Sequence, residues 1–219
     1  MSTRGKTAVL ALFAAFAFSA VASASASAFN LEWEVNGTKL VSGTVSVKGT
    51  GTTAFILNEG KTTEVRCTTQ SAEGTITGGK PGTDEATKIV FSGCTTREAA
   101  CKVADAGKKT AGTIEVKNVP TKLEERKKGG AAVLADNFAQ NATTKEFVTL
   151  EFTGTCAAYP ATTKVKGAIA AQVSGEQLVF PTSGEGFVEG GTLEAFGTKA
   201  TLSGKSTQKG LSGEKITAS

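Results

Sequence analysis

The four cysteines are the residues of this sequence whose chemistry is restricted most by their spacing. Cys94 and Cys101 have six residues between them, and Cys67 and Cys156 lie further away along the chain. Redox-active pairs need two intervening residues at the start of a helix, and structural zinc sites need paired short spacings, often with histidine. Neither pattern occurs, and the chain contains no histidine. An even number of cysteines behind an export signal is typical of a disulfide framework, so we predict two structural disulfides.

Four cysteines allow three disulfide connectivities, and the sequence by itself does not decide between them. Cys94 follows the run TKIVFSG and Cys101 begins CKV, so the intervening TTREAA is expected to be a surface loop. Closing that loop would bring the two Cα atoms within the roughly 4.4–6.8 Å that a disulfide requires. The sequence therefore favours Cys94–Cys101, with Cys67–Cys156 as a long-range cross-link. The alternative is Cys67–Cys94 with Cys101–Cys156.

The absence of histidine also limits the catalytic chemistry. It removes the commonest general base and the Ser-His-Asp and Cys-His nucleophile systems. No G-x-S-x-G elbow is present, and only three aspartates occur (Asp84, Asp105 and Asp136), too few for calcium loops with alternating acidic residues. We therefore assign no catalytic, cofactor-binding or metal-binding residue, and we expect no cofactor.

Pairs of glutamates are the remaining catalytic hypothesis, because glycoside hydrolysis needs two carboxyl groups and no histidine. Glu32 and Glu34 would lie about 7 Å apart on one strand face, judging from the rise of a strand. Glu124 and Glu125 lie in a charged run. A solvated polar surface explains both pairs without catalysis, so a polysaccharide hydrolase is kept only as an alternative function.

The first 28 residues have the order of a secretory signal peptide. Arg4 and Lys6 supply positive charge, residues 7–22 form an almost uninterrupted apolar run, and Ala26-Ser27-Ala28 ends the segment with an A-x-A cleavage pattern. The apolar run is shorter than the roughly 20 residues that span a bilayer. We expect a mature β-rich domain, residues 29–219, that is secreted or held at the cell envelope and has no membrane span.

The mature chain carries little net charge. The full chain has 24 Lys and Arg against 20 Asp and Glu, and loss of the leader removes two basic residues, which leaves a net charge of about +2. This balance does not predict binding to nucleic acid. The partner stays unidentified at this stage; an extracellular protein or a glycan is the class that an exported protein would meet.

Short strands are expected to position these residues. Phe29–Val35 alternates apolar and polar residues, Asn36-Gly37 suits a type I′ turn, and Thr38–Val47 supplies a return strand. Trp33 is on the apolar face of the first strand and is expected in the core. Further runs rich in β-branched and aromatic residues are separated by glycines: 53–57, 62–67, 87–93, 112–119, 146–152, 164–173, 176–180 and 198–204. This spacing predicts an all-β fold, either a disulfide-tied antiparallel β-sandwich or two packed small β sub-domains.

Residues 121–140 depart from the strand pattern. The segment TKLEERKKGGAAVLADNFAQ, which Gly129-Gly130 divide, could form one short helix, or a charged loop followed by another element. The predicted fold therefore has at most one short helix, and a subdivision of the domain would fall here.

Three short motifs resemble those of a set of exported bacterial β-rich proteins. The first is W-x-V-x-G-x-x-L, which begins at Trp33. The second is F-x-G-C, which ends at Cys94, and the third is C-x-V, which begins at Cys101. The resemblance implies export and β architecture, and it implies no activity or ligand.

We predict a non-enzymatic exported protein with a structural or binding role at the cell envelope or outside the cell. A second alternative is a protein-binding or inhibitor module that presents the 94–101 loop, because a braced loop loses less freedom on binding. Tyr159 follows Cys156 in a predicted turn, and we expect it to be exposed.

Overall fold

A computed structural model describes residues 28–108, 110–180 and 188–219; the predicted signal peptide lies outside the described residues except for Ala28. This part of the chain contains strands and no helix, so it contains no helix that could cross a membrane. The strands are β1 Trp33–Val35, β2 Thr38–Lys39, β3 Thr44–Gly51, β4 Phe55–Leu57, β5 Val65–Cys67, β6 Thr69–Thr77, β7 Thr83–Ser92, β8 Thr95–Thr96, β9 Cys101–Asp105, β10 Thr113–Lys128, β11 Ala131–Ala139, β12 Val148–Gly154, β13 Thr162–Val165, β14 Ala168–Ser174, β15 Gln177–Phe180, β16 Glu194–Ala195, β17 Thr198–Lys199, β18 Leu202–Gly210 and β19 Ile216–Ala218.

Eight of these strands form a closed barrel. Each barrel strand pairs antiparallel with the next one along the chain, in the order β3, β6, β7, β10, β11, β14, β15 and β18. β18 then pairs with β3, with Ser206 opposite Gly51, which closes the circle. The prediction of an all-β protein is confirmed, but the arrangement is an up-and-down barrel and not a plain sandwich. Closure satisfies the backbone hydrogen bonds of the first and last barrel strands, which would otherwise be open edges.

The connections at the two ends of the barrel differ in length. Because successive strands run in opposite directions, alternate connections fall at the same end. One end carries the short turns 78–82, 129–130 and 175–176, and the terminal sheet β19-β1-β2 adjoins it; we call it the hairpin end. At the other end the four long connections contain β4-β5, β8-β9, β12-β13 and β16-β17, and we call these eight strands and the segments that join them the cap.

Both disulfides lie in the cap, and the pairing that the sequence favoured is wrong. Cys67 is bonded to Cys94, and Cys101 to Cys156. β6 and β7 are neighbours in the barrel, so the residues next to their cap ends, Cys67 and Cys94, face each other. β9 pairs with β12 and places Cys101 opposite Gly154, two residues from Cys156. The bonds therefore follow strand pairings between distant segments, whereas the sequence argument considered only the short loop 94–101.

The predicted N-terminal hairpin is present but short. Asn36 and Gly37 have φ values of +53° and +78°, as a type I′ turn requires, and they join β1 to β2. Trp33 is 2% exposed, as predicted for a core residue. The return strand ends at Lys39, and the chain then enters the barrel as a separate strand, β3.

Residues 121–140, where the sequence allowed a short helix, contain none. This segment forms the β10–β11 hairpin, with Lys128 opposite Ala131 and Gly129-Gly130 in the turn. Thr121 and Leu123 point into the barrel and the residues between them point out. The charged run therefore follows a period of two, and the pair of glycines makes a hairpin turn instead of interrupting a helix.

Candidate functional site

The interior of the barrel contains a cavity of about 150 Å³. Apolar side chains from all eight barrel strands and from the cap form most of its wall. The residues that contribute the largest apolar groups are Val47, Phe55, Leu57, Val65, Ile89, Phe91, Ile114, Val116, Val119, Phe138, Phe147, Val148, Leu150, Val165, Ile169, Leu178, Phe180, Leu193 and Leu202.

Several inward-facing side chains are incompletely packed. Ala72, Ala86, Ile89 and Ile169 lie on interior positions of their strands and border the cavity, yet they are only half-buried. Because they point away from bulk solvent, part of their remaining surface faces the cavity. Interiors of folded proteins are ordinarily close-packed, so an incompletely filled apolar barrel suits the inclusion of a small molecule.

Aromatic rings close the cavity towards the cap. β4 continues the sheet beyond β3 by pairing with the start of β18, and this places Phe55 across the mouth of the barrel. The centroid of the Phe55 ring lies 5.3 Å from that of Phe91 and 5.9 Å from that of Phe180. Gly204 makes room for Phe55, since a Cβ at this position would lie 2.7 Å from the ring, and its φ of +149° disfavours any other residue.

A short polar row lines one wall of the barrel. The Ser206 hydroxyl donates to the Gln70 side-chain oxygen at 3.0 Å, and the Gln208 amide donates to the Ser206 oxygen at 3.2 Å. All three residues border the cavity. These groups largely satisfy one another, so this wall does not demand a polar ligand.

The opposite wall carries a pair of acidic side chains near the hairpin end. Thr121 on β10 is paired with Asp84 on β7, and its hydroxyl donates to the Asp84 carboxyl. Asp136, on the neighbouring strand β11, is fully buried. Asp84 keeps some accessible surface and borders the cavity, so that surface faces the interior and not the bulk solvent.

Burial changes the ionisation of both aspartates. It raises the pKa of Asp136 to about 7. Burial, and then the neighbouring Asp136 carboxyl, raise the pKa of Asp84 well above its ordinary value. Two carboxyl groups this close in a dry environment cannot both hold a charge cheaply, so at neutral pH the pair retains a proton.

The sequence contained one signal for this acid pair that was not used. Asp136 stands between Leu134 and Phe138 at a spacing of two, so a strand that buries the two apolar residues must also bury the aspartate. The pattern was missed because residues 121–140 were interpreted as a helix.

The glutamates considered for catalysis lie outside the cavity. Glu32 forms a 2.6 Å ion pair with Lys39. Glu34 accepts a hydrogen bond from the Thr217 hydroxyl at 3.2 Å. Glu124 forms an ion pair with Lys122 at 3.1 Å and another with Arg126. Its neighbour, Glu125, is exposed and accepts a hydrogen bond from the backbone N–H of Ala28.

Tyr159 is buried, which contradicts the expectation of an exposed ring. It is 5% exposed and stacks on Phe152 with ring centroids 4.9 Å apart. Its hydroxyl donates to the Glu64 carbonyl oxygen at 2.7 Å and accepts from the Arg97 backbone N–H at 3.1 Å. The turn after Cys156 folds into the cap, where Tyr159 joins three connections.

The 94–101 segment is held at several points. β8 pairs with β5, and the Glu98 carboxylate accepts the backbone N–H groups of Ala157 and Ala158 at 2.6 and 2.7 Å. The Arg97 side chain forms a 3.2 Å ion pair with Glu64. The segment is thus integrated into the cap and is not a separate loop closed by its own disulfide.

No protein-family model, curated protein or solved structure matches this chain. Within residues 28–108, 110–180 and 188–219, no group of three or more acidic, cysteine or histidine side chains is arranged to hold a metal ion. The barrel cavity, with its acid pair, is therefore the feature on which we base a function.

Proposed function

We propose that this protein is an exported, non-enzymatic binding protein that encloses a small apolar molecule in its barrel. Export is supported by the signal-peptide pattern of residues 1–28 and by two disulfides, which are typical of oxidising compartments. The ligand proposed here is smaller and more apolar than the glycan or protein partner that the sequence suggested.

The cavity is the observation that carries the proposal. Its volume of about 150 Å³ is close to that of engineered apolar cavities that stay dry and bind benzene or xenon. An eight-stranded barrel has an interior just wide enough for side chains or one small ligand. In this barrel alanine occupies interior positions at Ala72 and Ala86, and these small side chains leave space that larger ones would fill.

Toluene is a suitable probe, since it is apolar and of the size of the cavity. We expect saturable binding by the mature protein, with changes in NMR amide shifts confined to the barrel strands and cap segments that line the cavity. Toluene at one hundred times its dissociation constant should stabilise the protein by about 2.7 kcal/mol, which thermal unfolding would detect. If toluene at saturation in water neither shifts these signals nor raises the unfolding temperature, the cavity does not function as proposed.

A matched pair of variants connects binding to the cavity. Ala86→Leu adds three carbons to the cavity wall, whereas Ala131→Leu makes the same change at an exposed position of β11. We expect Ala86→Leu to abolish toluene binding and to stabilise the unliganded protein by about 2 kcal/mol, at about 0.8 kcal/mol per buried methylene. Ala131→Leu should bind toluene like the parent.

Export is tested separately on the full chain. Expression with residues 1–28 in a bacterial host should yield extracytoplasmic protein that begins at Phe29, and a thiol-alkylating reagent should label no cysteine in it. Retention in the cytosol with the leader intact would contradict this part of the proposal.

A further inference from the structure

The side chains that face the cavity are mostly apolar, and the inward-facing polar ones are the Gln70, Ser206 and Gln208 row and the carboxyl of Asp84. Asp84 borders the cavity directly and is the next inward-facing residue after Ala86, which forms part of the wall. Asp136 faces the interior from β11, on the other side of β10 from Asp84. A ligand that fills the cavity therefore meets a carboxyl group at the end nearest the hairpin turns.

Asp136 has no basic partner in the part of the chain that the structure describes. It is 0% exposed, and the groups that approach its carboxyl are Thr121, the Lys122 backbone and Asp84, none of which carries a positive charge there. The residues across from it on the neighbouring strands are Leu123 and Ala171, and Asp84 is opposite Ile76 on its other side. A buried carboxyl pair without a cation is costly, and a ligand can supply the missing charge.

The charges near the pair are of both signs, but the group that faces the cavity is a carboxyl. Glu124, on β10, adds to the negative field at Asp136 and is itself ion-paired with Lys122 and Arg126. Glu73 on β6 and Glu85 on β7 are exposed and alternate with the inward-facing Gly74 and Ala86, so their side chains point out of the barrel. None of the described residues that line the cavity is a lysine or an arginine. The Asp84 carboxyl therefore makes this end of the cavity favourable for a positive ligand group.

We propose that the molecule bound in the barrel is a small amphiphilic amine, whose apolar part fills the cavity and whose ammonium group lies against the carboxyl of Asp84. This inference rests on the proposed binding function and specifies its ligand class. Folding of the protein already buries the two carboxyl groups. An ammonium group can therefore form charge-assisted hydrogen bonds with them, and no further anion has to be buried when it binds.

Binding should depend on pH. When an ammonium group enters, the pair releases the proton that it retains at neutral pH, so protons compete with the ligand. The affinity for an amine should therefore rise between pH 5.5 and pH 8, where the competing proton is progressively lost. A neutral ligand of the same shape does not compete with the proton and should show no such rise.

The test compares benzylamine, benzyl alcohol and toluene by calorimetry at pH 5.5 and pH 8 on the mature protein. At pH 8 we expect benzylamine to bind about tenfold more tightly than toluene, with benzyl alcohol close to toluene. The preference for benzylamine should fall towards unity at pH 5.5 and in Asp84→Asn. Asp105→Asn removes a buried aspartate of the cap that does not border the cavity, and it should leave the preference unchanged.

The comparison of ligands on the parent protein is decisive even if Asp84→Asn does not fold. Equal affinity for benzylamine and toluene at pH 8 would overturn the amine proposal and leave the apolar binding function standing. Equal affinity for benzylamine and benzyl alcohol would show that hydrogen bonding, and not charge, selects the ligand, which also overturns it. Failure of all three to bind would refute the binding function itself.

Discussion

The buried acid pair should make the stability of this protein fall as the pH rises through neutrality. Asp136 has an ordinary pKa of 3.8 in the unfolded chain and, because of burial, a pKa of about 7 in the folded protein. Between these values the folded protein holds a proton that the unfolded chain has lost. Stability linked to this group is therefore fully present below about pH 4 and is lost as the pH rises through about 7.

The size of the effect follows from the two pKa values. A difference of one pKa unit corresponds to 1.36 kcal/mol, so the step from 3.8 to about 7 amounts to about 4 kcal/mol. About 3 kcal/mol of this falls between pH 5 and pH 8. The raised pKa of Asp84 acts in the same direction.

Between pH 5 and pH 8, few ionisable groups other than the two aspartates change their charge. The chain has no histidine, and hydrogen bonds from Lys117 and Lys108 lower the pKa of Glu115 to about 2, well below the window. The terminal amino group is common to all variants and cancels in their comparison. A change in stability between pH 5 and pH 8 can thus be assigned to the aspartates.

The assay is urea unfolding at pH 5, 6, 7 and 8, followed by the fluorescence of Trp33, the single tryptophan, which is buried beside Leu123 and Ile76. We expect the parent protein to lose about 3 kcal/mol across the series. Asp136→Asn should lose less, and the double variant Asp84→Asn, Asp136→Asn should lose almost nothing and be the more stable protein at pH 8. A parent stability that is flat from pH 5 to pH 8, or a slope that survives in the double variant, would refute the reasoning.

Three further predictions concern the cap and its contact with the barrel. Tyr159→Phe should destabilise the protein by about 1–3 kcal/mol in urea unfolding, because the Glu64 carbonyl, in a buried hydrogen bond, and the partly buried Arg97 N–H lose their partner; a cost below about 0.5 kcal/mol would contradict the hydrogen-bonding role. Gly204→Ala should cost at least about 1–3 kcal/mol, since its backbone conformation is unfavourable for alanine and the added Cβ collides with Phe55; wild-type thermal stability would show that the ring can move aside. Replacing Cys101 and Cys156 together by alanine should lower stability by about 4 kcal/mol, from the loop of 55 residues that this bond closes, and a non-reducing peptide map of the parent should recover this pair; recovery of a Cys94–Cys101 peptide would contradict the pairing.

Local patterns in the sequence identified the strands better than their arrangement. Alternation located β1, and the Asn36-Gly37 pair predicted the turn that follows, because both signals act over a few neighbouring residues. The run 112–119 correctly marked the first half of β10, but the same reasoning failed over residues 121–140, where charged residues and two glycines suggested a helix. There the inward positions alternate regularly, and burial against other barrel strands overrides the composition of the outward face.

Local spacing could have indicated that Asp136 is buried, but no local rule predicts its contact with Asp84. Asp84 and Asp136 are 52 positions apart, and they meet only because each lies on a strand next to β10. A sandwich with the same strands would have placed them differently. The pairing order of the strands therefore decides both their contact and their ionisation.

The sequence by itself determined that this protein is all-β and contains two disulfides, because period-two alternation, turn residues and an even number of cysteines are properties of short segments and of composition. Tertiary structure alone decided that the sheet closes into a barrel, that Cys67 bonds to Cys94 and Cys101 to Cys156, and that an apolar cavity is bordered by Asp84, with the buried Asp136 beside it. The physical reason is that a strand's alternation specifies which residues face inward but not which strand lies beside it. Neighbours across the barrel, distant in sequence, determine what those inward residues contact.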